Sequence, residues 1–242
     1  MDHHEVAVIV GVGPGLGHSL SRRFSRAEMH VAMAARDISK LDSMAADSSG
    51  ITHQARAYTC DASDEQQVEE LFRQICAELG EPDLVVYNAG AYMPGGIAET
   101  TAKEFERSWR VGCFGGFLVG RAAARIMTAR VARGGHGGTI LFTGATASLR
   151  GSAGFLNLAV SKFGLRALAQ SMARELQPKG VHVAHVVIDG HIRPYAAERD
   201  TRDKTDSQID PDAVAETYFQ LHRQPRSAWS LEVDLRPWAE KF

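Results

Sequence analysis

Short apolar runs rich in β-branched residues recur along the whole chain. Between them lie longer stretches in which apolar positions return every three or four residues. Val6–Val10 (VAVIV), His30–Ala35 (HVAMAA), 55–60, Leu84–Tyr87, Thr139–Thr143 (TILFT), 181–188 (VHVAHVVI) and 231–235 (LEVDL) each have the length and pattern of a buried strand. The stretch 66–79 (QQVEELFRQICAEL) puts Val68, Leu71, Phe72, Ile75 and Leu79 on one helical face. Asp61 and Ser63 supply start signals for that helix, and Gly80 with Pro82 supplies a stop. Alternation of this kind predicts parallel strands joined by right-handed crossovers. The expected fold is α/β: a doubly wound, seven-stranded, mostly parallel sheet with helices on both faces.

No internal repeat or Ser/Pro-rich linker divides the chain, so 1–242 reads as one domain. The GGHGG stretch at 134–138 is a turn before a strand. The polar segment 198–211 (ERDTRDKTDSQIDP) has little core-forming character, and 191–212 is expected to form a loop or lid over substrate.

Composition narrows the function. With 44% hydrophobic and 23% charged residues the chain is ordinary globular material. A net charge of −2 gives no pull toward nucleic acid or acidic membranes. The apolar run 6–12 is too short to span a bilayer and lacks a signal-peptide layout, so no membrane association is expected. Cys60, Cys76 and Cys113 form no CxxC pair, which fits a reducing, cytoplasmic compartment. His182 and His185 lie three apart on a strand and therefore point to opposite faces, which argues against a shared metal. His3 and His4 carry no signal of their own.

The first strand runs directly into GVGPGLG at 11–17, with glycines at 11, 15 and 17 in a GxxxGxG spacing. Glycines allow a tight turn and close backbone approach, and the following helix aims its first N–H groups at a pyrophosphate. Pro14, lacking an N–H, suits the start of that helix. The second strand ends Ala34-Ala35-Arg36-Asp37. A free ribose 2′-OH wants a carboxylate at that strand end, whereas a 2′-phosphate wants a guanidinium. Ala35 carries no carboxylate, and Arg36 offers an always-charged fork. Arg36 is either a solvated turn residue or a phosphate ligand; the second reading is favoured, with Asp37 as a helix cap, so NADP(H) is preferred and NAD(H) is possible.

With these residues in place the chain resembles the short-chain dehydrogenase/reductase family, a Rossmann-like fold, along nearly its whole length. The likeness rests on the turn at Gly11, Gly15, Leu16 and Gly17 and on Asp61, beside Ala62, which in the family contacts adenine. It rests also on Asn88-Ala89-Gly90, similar to the family's NAG element, and on SKFGLRALAQSMAREL at 161–176, similar to its active-site helix. Asp61 and Asn88 also have plainer readings, as a helix cap and as a satisfier of backbone groups. The resemblance implies hydride transfer between a nicotinamide and a carbonyl or alcohol, carried by serine, tyrosine and lysine, with an asparagine placing a relay water. Carried over position by position, the lysine is Lys162. The tyrosine, serine and asparagine positions hold Leu158, Ala145 and Gly112, and the family's Pro-Gly after the sixth strand is here Asp189-Gly190.

A replacement proton donor would have to come from Thr143, Thr146, Ser148, Asn157, Tyr92, His191 or Tyr195, each of which also reads as a surface or packing residue. Two readings stay open. One is an NADP(H)-dependent oxidoreductase with a non-standard donor, acting on an apolar carbonyl or alcohol in a pocket of Leu158, Phe155, Ala145 and Leu149. The other is a nucleotide-binding homologue without turnover, a sensor or an assembly partner, in which Lys162 only anchors the ribose. The resemblance further implies a homodimer or homotetramer through the helices expected at 101–130 and 152–177. The tail ending at Phe242 could also reach a neighbour.

Overall fold

The apolar runs become strands β1 (Val6–Val10), β2 (His30–Ala35), β3 (Ala55–Thr59), β4 (Leu84–Tyr87), β5 (Thr139–Thr143), β6 (His182–Ile188) and β7 (Glu232–Leu235). They form one sheet in the order β3-β2-β1-β4-β5-β6-β7, with every neighbouring pair parallel. The computed structural model describes residues 4–39, 41, 44, 55–193 and 207–239. Tyr195, most of the expected lid and the tail at Phe242 lie outside the described residues. Three strands are one residue shorter than the pattern suggests, losing Cys60, Val181 and Leu231. The helices are α1 (Leu16–Arg26), α2 (Glu65–Glu78), α3 (Ala102–Trp109), α4 (Gly115–Ala132), α5 (Leu156–Leu176) and α6 (Pro211–Arg223).

Successive strand residues point to opposite faces, and both faces are covered. Val6, Val8, Val85, Tyr87, Ile140 and Phe142 pack with α2, α4 and α5. Ala7, Ile9, Val31, Met33, Leu141 and Val186 pack with α1 and α6. This is why the strands read as unbroken apolar runs rather than alternating ones. A one-residue slip would exchange the two cores, so register is tightly specified. No helix among the described residues is long and apolar enough to cross a membrane.

Helix boundaries depart from expectation where several capping residues compete. The N-cap of α2 is Asp64, whose side chain accepts from the Gln67 N–H. Asp61 instead folds a turn onto the N–H and hydroxyl of Ser63, at 2.9 and 2.7 Å. Pro14 precedes Gly15, the N-cap of α1, rather than opening the helix. The helix expected at 101–130 is capped by a reciprocal Thr101–Glu104 pair but is interrupted. Arg110–Phe114 is a π turn, in which the Gly115 N–H reaches the Arg110 carbonyl. The helix expected from 152 begins only at Leu156.

The sheet positions the site through one close approach. Gly11, at the end of β1, has φ +96°, and a Cβ there would lie 2.4 Å from the Ala89 nitrogen after β4. Asn88 fastens the junction by donating from Nδ2 to the Gly11 carbonyl at 3.0 Å. The strand order reverses between β1 and β4, and a doubly wound sheet opens its crevice at such a reversal.

Two histidines on β6 are buried on opposite faces, as their spacing requires. His182 stacks on Trp229 at 4.9 Å between ring centroids and lies 2.8 Å from the Ser230 carbonyl. His185 sits 3.0 Å from the Glu232 carboxylate and 3.3 Å from the Ser148 hydroxyl. Among the described residues no group of His, Cys, Asp or Glu is placed to hold a metal. Burial lowers the pKa of both, outweighing the Ser230 carbonyl at His182 and the Glu232 carboxylate at His185. Their folded pKa values lie below the unfolded ones, so the unfolded chain binds more protons as pH falls and folding stability falls with it. The melting midpoint is therefore expected to climb between about pH 5 and about pH 7, and the slope to flatten in a His182→Gln/His185→Gln double variant. An equal slope in both proteins, read by calorimetry, would contradict this assignment.

Candidate active site

A cavity of about 340 Å³ opens at the carboxyl ends of β1, β2, β3 and β4. Its wall brings together Gly11, Arg36, Asp61, Ala62, Asn88, Ala89 and Gly90 from four separate segments, all marked in the sequence. Cys60 and Val111 join them with no sequence signal to announce them. Of the glycine turn, Gly11, Gly13 and Pro14 face the cavity. Gly15 caps α1, the Leu16 side chain is buried in the core, and Gly17 packs on Val12. Leu16 and Gly17 support the cradle from behind, whereas Gly15 has open space beside it.

The cradle's chemistry suits a phosphorylated nucleotide. A Cβ built on Gly13 or Gly15 meets nothing within 4 Å, so the turn leaves room for a ligand. Arg36 is exposed on the wall, and no carboxylate among the described residues forms an ion pair with it. Asp37 is used locally, accepting from the N–H and hydroxyl of Ser39 at 3.1 and 2.6 Å. The Asp61 carboxyl has its pKa lowered: burial works against this, but the hydrogen bonds from Ser63 and the fields of Arg36 and Arg110 outweigh it.

Lys162 stands between this cavity and a second one. Its Nζ donates to the Thr143 carbonyl at the end of β5 at 2.8 Å. A Cβ on Gly90 would lie 3.7 Å from Nζ, so the ammonium abuts the cradle's edge. Lys162 is only 6% exposed, and burial pushes its pKa down to about 8.

The second cavity, of about 450 Å³, lies beyond the ends of β5 and β6 and against the start of α5. Leu158, Ala145 and Phe155 line it as expected, together with Ala147 and Ile188. Leu149 does not; it is exposed at the surface. The geometry sorts the candidate donors. Tyr92, Thr146 and His191 are on the wall, joined by Arg150 and Ser152, which sequence reasoning missed. Thr143 is buried against the Tyr218 hydroxyl at 2.8 Å. Ser148 is fully buried, accepting from the Ala145 N–H at 3.1 Å. Asn157 is buried, donating to the Met93 carbonyl at 3.0 Å.

Gly112 lies in the π turn, closely packed against α5. A Cβ there would fall 2.6 Å from the Ser161 Cβ, and the Ser161 hydroxyl donates back to the Asn157 carbonyl at 2.7 Å. Widening one helical turn strands backbone acceptors. The buried Tyr87 hydroxyl answers by donating to the Val111 carbonyl. The turn is therefore built into the packing of β4 and α5.

The sequence and the fold that carries this cradle, the buried lysine and the second cavity are similar to those of known proteins. A sequence model described as short chain dehydrogenase matches residues 5–203. A short-chain dehydrogenase from Rhodopseudomonas palustris superposes with TM-score 0.83 at 37% identity, over 97% of this chain and 99% of its own. A metagenomic short-chain oxidoreductase in complex with NADP superposes with TM-score 0.82 at 26% identity, over 96% of this chain and 97% of its own. A short-chain dehydrogenase/reductase of Armillaria gallica is 30% identical over 181 residues, 74% of this chain and 67% of that protein. On the strength of this match from the first strand through the second cavity, the chain belongs to the short-chain dehydrogenase family.

Proposed function

We propose that this chain is an NADP(H)-dependent oxidoreductase interconverting a carbonyl and an alcohol in a largely apolar substrate, with a proton carrier other than tyrosine. The observation that carries the reading is the placement of Lys162. It closes the nucleotide cradle at Gly90 on one side and stands on the helix whose Leu158 lines the second cavity on the other. Bound in the cradle, a nicotinamide would supply or accept the hydride. Gly11 and Gly13 let the backbone approach its phosphates, and Arg36 receives a 2′-phosphate that Ala35, unlike a carboxylate, does not repel. Lys162 holds the ribose. The NADP complex of the metagenomic relative supports the choice of cofactor.

Leu158, Ala145 and Gly112 occupy the family's tyrosine, serine and asparagine positions in this proposal. General acid–base help is worth roughly 10²–10⁴ in rate, and a carbonyl-polarising donor about 10²–10³. Neither leucine nor alanine can move a proton, so another group must. The apolar wall of Ala145, Phe155 and Leu158 favours a hydrophobic substrate. The same wall is what a protein that binds nucleotide without turnover would show. Calorimetric titration with NADPH and NADH, followed by assay of apolar aldehydes, ketones and alcohols, separates the two. Tight NADPH binding with no turnover anywhere in the panel would favour the binding-only reading.

A homodimer or homotetramer is part of the proposal. Phe105, Trp109, Phe117, Val160 and Phe163 are exposed on α3, α4 and α5, and large apolar groups clustered on helices suit contact with a second copy.

Replacing Arg36 with Asp is expected to weaken NADPH binding by roughly 10²-fold or more while sparing NADH, because a charged, forked phosphate contact becomes a repulsion. Unchanged NADPH affinity would remove Arg36 from the site. Lys162→Met should act in two directions. The pKa of about 8 lies below the unfolded value of 10.5, so stability rises with pH between them, and at neutral pH burying the charge costs on the order of 3 kcal/mol. The variant should therefore melt several degrees higher without nucleotide, yet bind NADPH about tenfold or more weakly. A lower melting midpoint would show that the Thr143 contact outweighs desolvation.

A further inference from the structure

The wall of the second cavity contains a hydroxyl whose only proton is already committed. Thr146, in the turn after β5, donates to Oδ1 of Asp189 at 2.5 Å. Asp189, just past the end of β6, is 6% exposed, and its other oxygen lies 3.5 Å from the Arg236 guanidinium. A threonine hydroxyl has one hydrogen and two lone pairs. With the hydrogen directed at Asp189, Thr146 offers any further partner its lone pairs alone. A ligand group meeting that oxygen must bring its own hydrogen, as an alcohol does and a carbonyl does not.

We infer that Thr146 and Asp189 form a proton-accepting pair for an alcohol substrate, an inference that rests on the oxidoreductase reading. The substrate hydroxyl donates to Thr146 Oγ1. As its O–H bond breaks, that proton joins Oγ1 and the proton Thr146 held passes to Asp189 Oδ1. The carbinol C–H bond breaks with its electron pair leaving as hydride to the oxidised nicotinamide, and the C–O bond becomes a carbonyl. The substrate loses a proton and a hydride; Asp189 keeps the first and the cofactor the second. In the reverse direction the carboxyl of Asp189 returns the proton through Thr146.

None of the other candidate donors among the described residues offers this arrangement. Ser148 points its oxygen into the protein, between the Ala145 N–H and His185. Tyr92 packs at a tilt against Phe155, with 6.1 Å between ring centroids, and neither it nor His191 is hydrogen-bonded to a carboxylate among the described residues. Thr146 touches substrate and is the catalytic residue; Asp189, acting through it, is a positioning residue and the proton's terminus.

The test uses the full chain and a panel of primary and secondary alcohols with NADP+. Thr146→Val and Asp189→Asn are expected to lower kcat by roughly 10²–10⁴-fold, with NADPH affinity within about twofold of wild type. Thr146→Ser should restore most of the rate, since it keeps the hydroxyl. Trifluoroethanol, a hydroxyl donor that resists oxidation, provides a readout without turnover. Its calorimetric affinity for the NADP+ complex should fall about tenfold in Thr146→Val and hold in Thr146→Ser. If Thr146→Val does not fold, Asp189→Asn and Thr146→Ser still decide the matter by their kcat and their solvent isotope effects. Wild-type kcat in the Val or Asn variant would overturn the relay and leave the oxidoreductase reading standing. A wild-type protein inactive on every alcohol and carbonyl would overturn both.

Discussion

An ammonium group held almost out of water, with a backbone carbonyl as its partner, sets the arrangement of everything around it. Lys162 rises from the first half of α5 and donates to the Thr143 carbonyl at the end of β5. The contact joins α5 to the end of β5, and the same helix brings Leu158, one turn earlier, to the second cavity and Ser161 into the hollow at Gly112. A long polar chain in such a place is costly to bury and is kept only where its head finds a partner. The carbonyl at a strand end supplies one, and the space beside Gly90 is where a ligand's hydroxyls would supply others.

A second chain of hydrogen bonds holds the turn between β5 and α5. The Ala145 N–H donates to Ser148, which contacts His185, which faces Glu232, which is gripped by the Arg166 fork at 2.7 and 2.6 Å. Burial tends to raise the Glu232 pKa, but the bonds from Arg166 and His185 win and lower it. Four separate elements are thereby tied together beneath the residues that line the second cavity. The chain is directional when His185 is neutral: one ring nitrogen accepts from the serine and the other donates to the carboxylate. Its role is to keep the wall rigid, because the serine and the imidazole are both too deeply buried to meet a substrate.

The sheet was legible because strands buried on both faces announce themselves as unbroken apolar runs, and the cradle because its glycines and Arg36 sit beside strand ends. What escaped reading depends on contacts between distant residues. Asp61, Ser63 and Asp64 are all capping types, and only geometry chooses Asp64. The π turn has no sequence mark beyond glycines at 112, 115 and 116 that any close packing would demand. Thr146 and Asp189 are 43 positions apart, so nothing in the chain pairs a commonplace threonine with an aspartate standing where the resemblance places a proline. Arg150 and Ser152 reach the cavity wall only because the turn before α5 folds over it. Most of the expected lid and Tyr195 lie outside the described residues.

The interlock of Gly112 with Ser161 governs which residues the π turn admits. The space beside Gly112 is already filled by Ser161 from the neighbouring helix, and a Cβ there would fall 2.6 Å from the serine Cβ. A larger residue at 112 therefore needs the serine to shrink or the two segments to move apart. Tolerance at one position is set by the occupant of the other, so the two behave as a single packing unit.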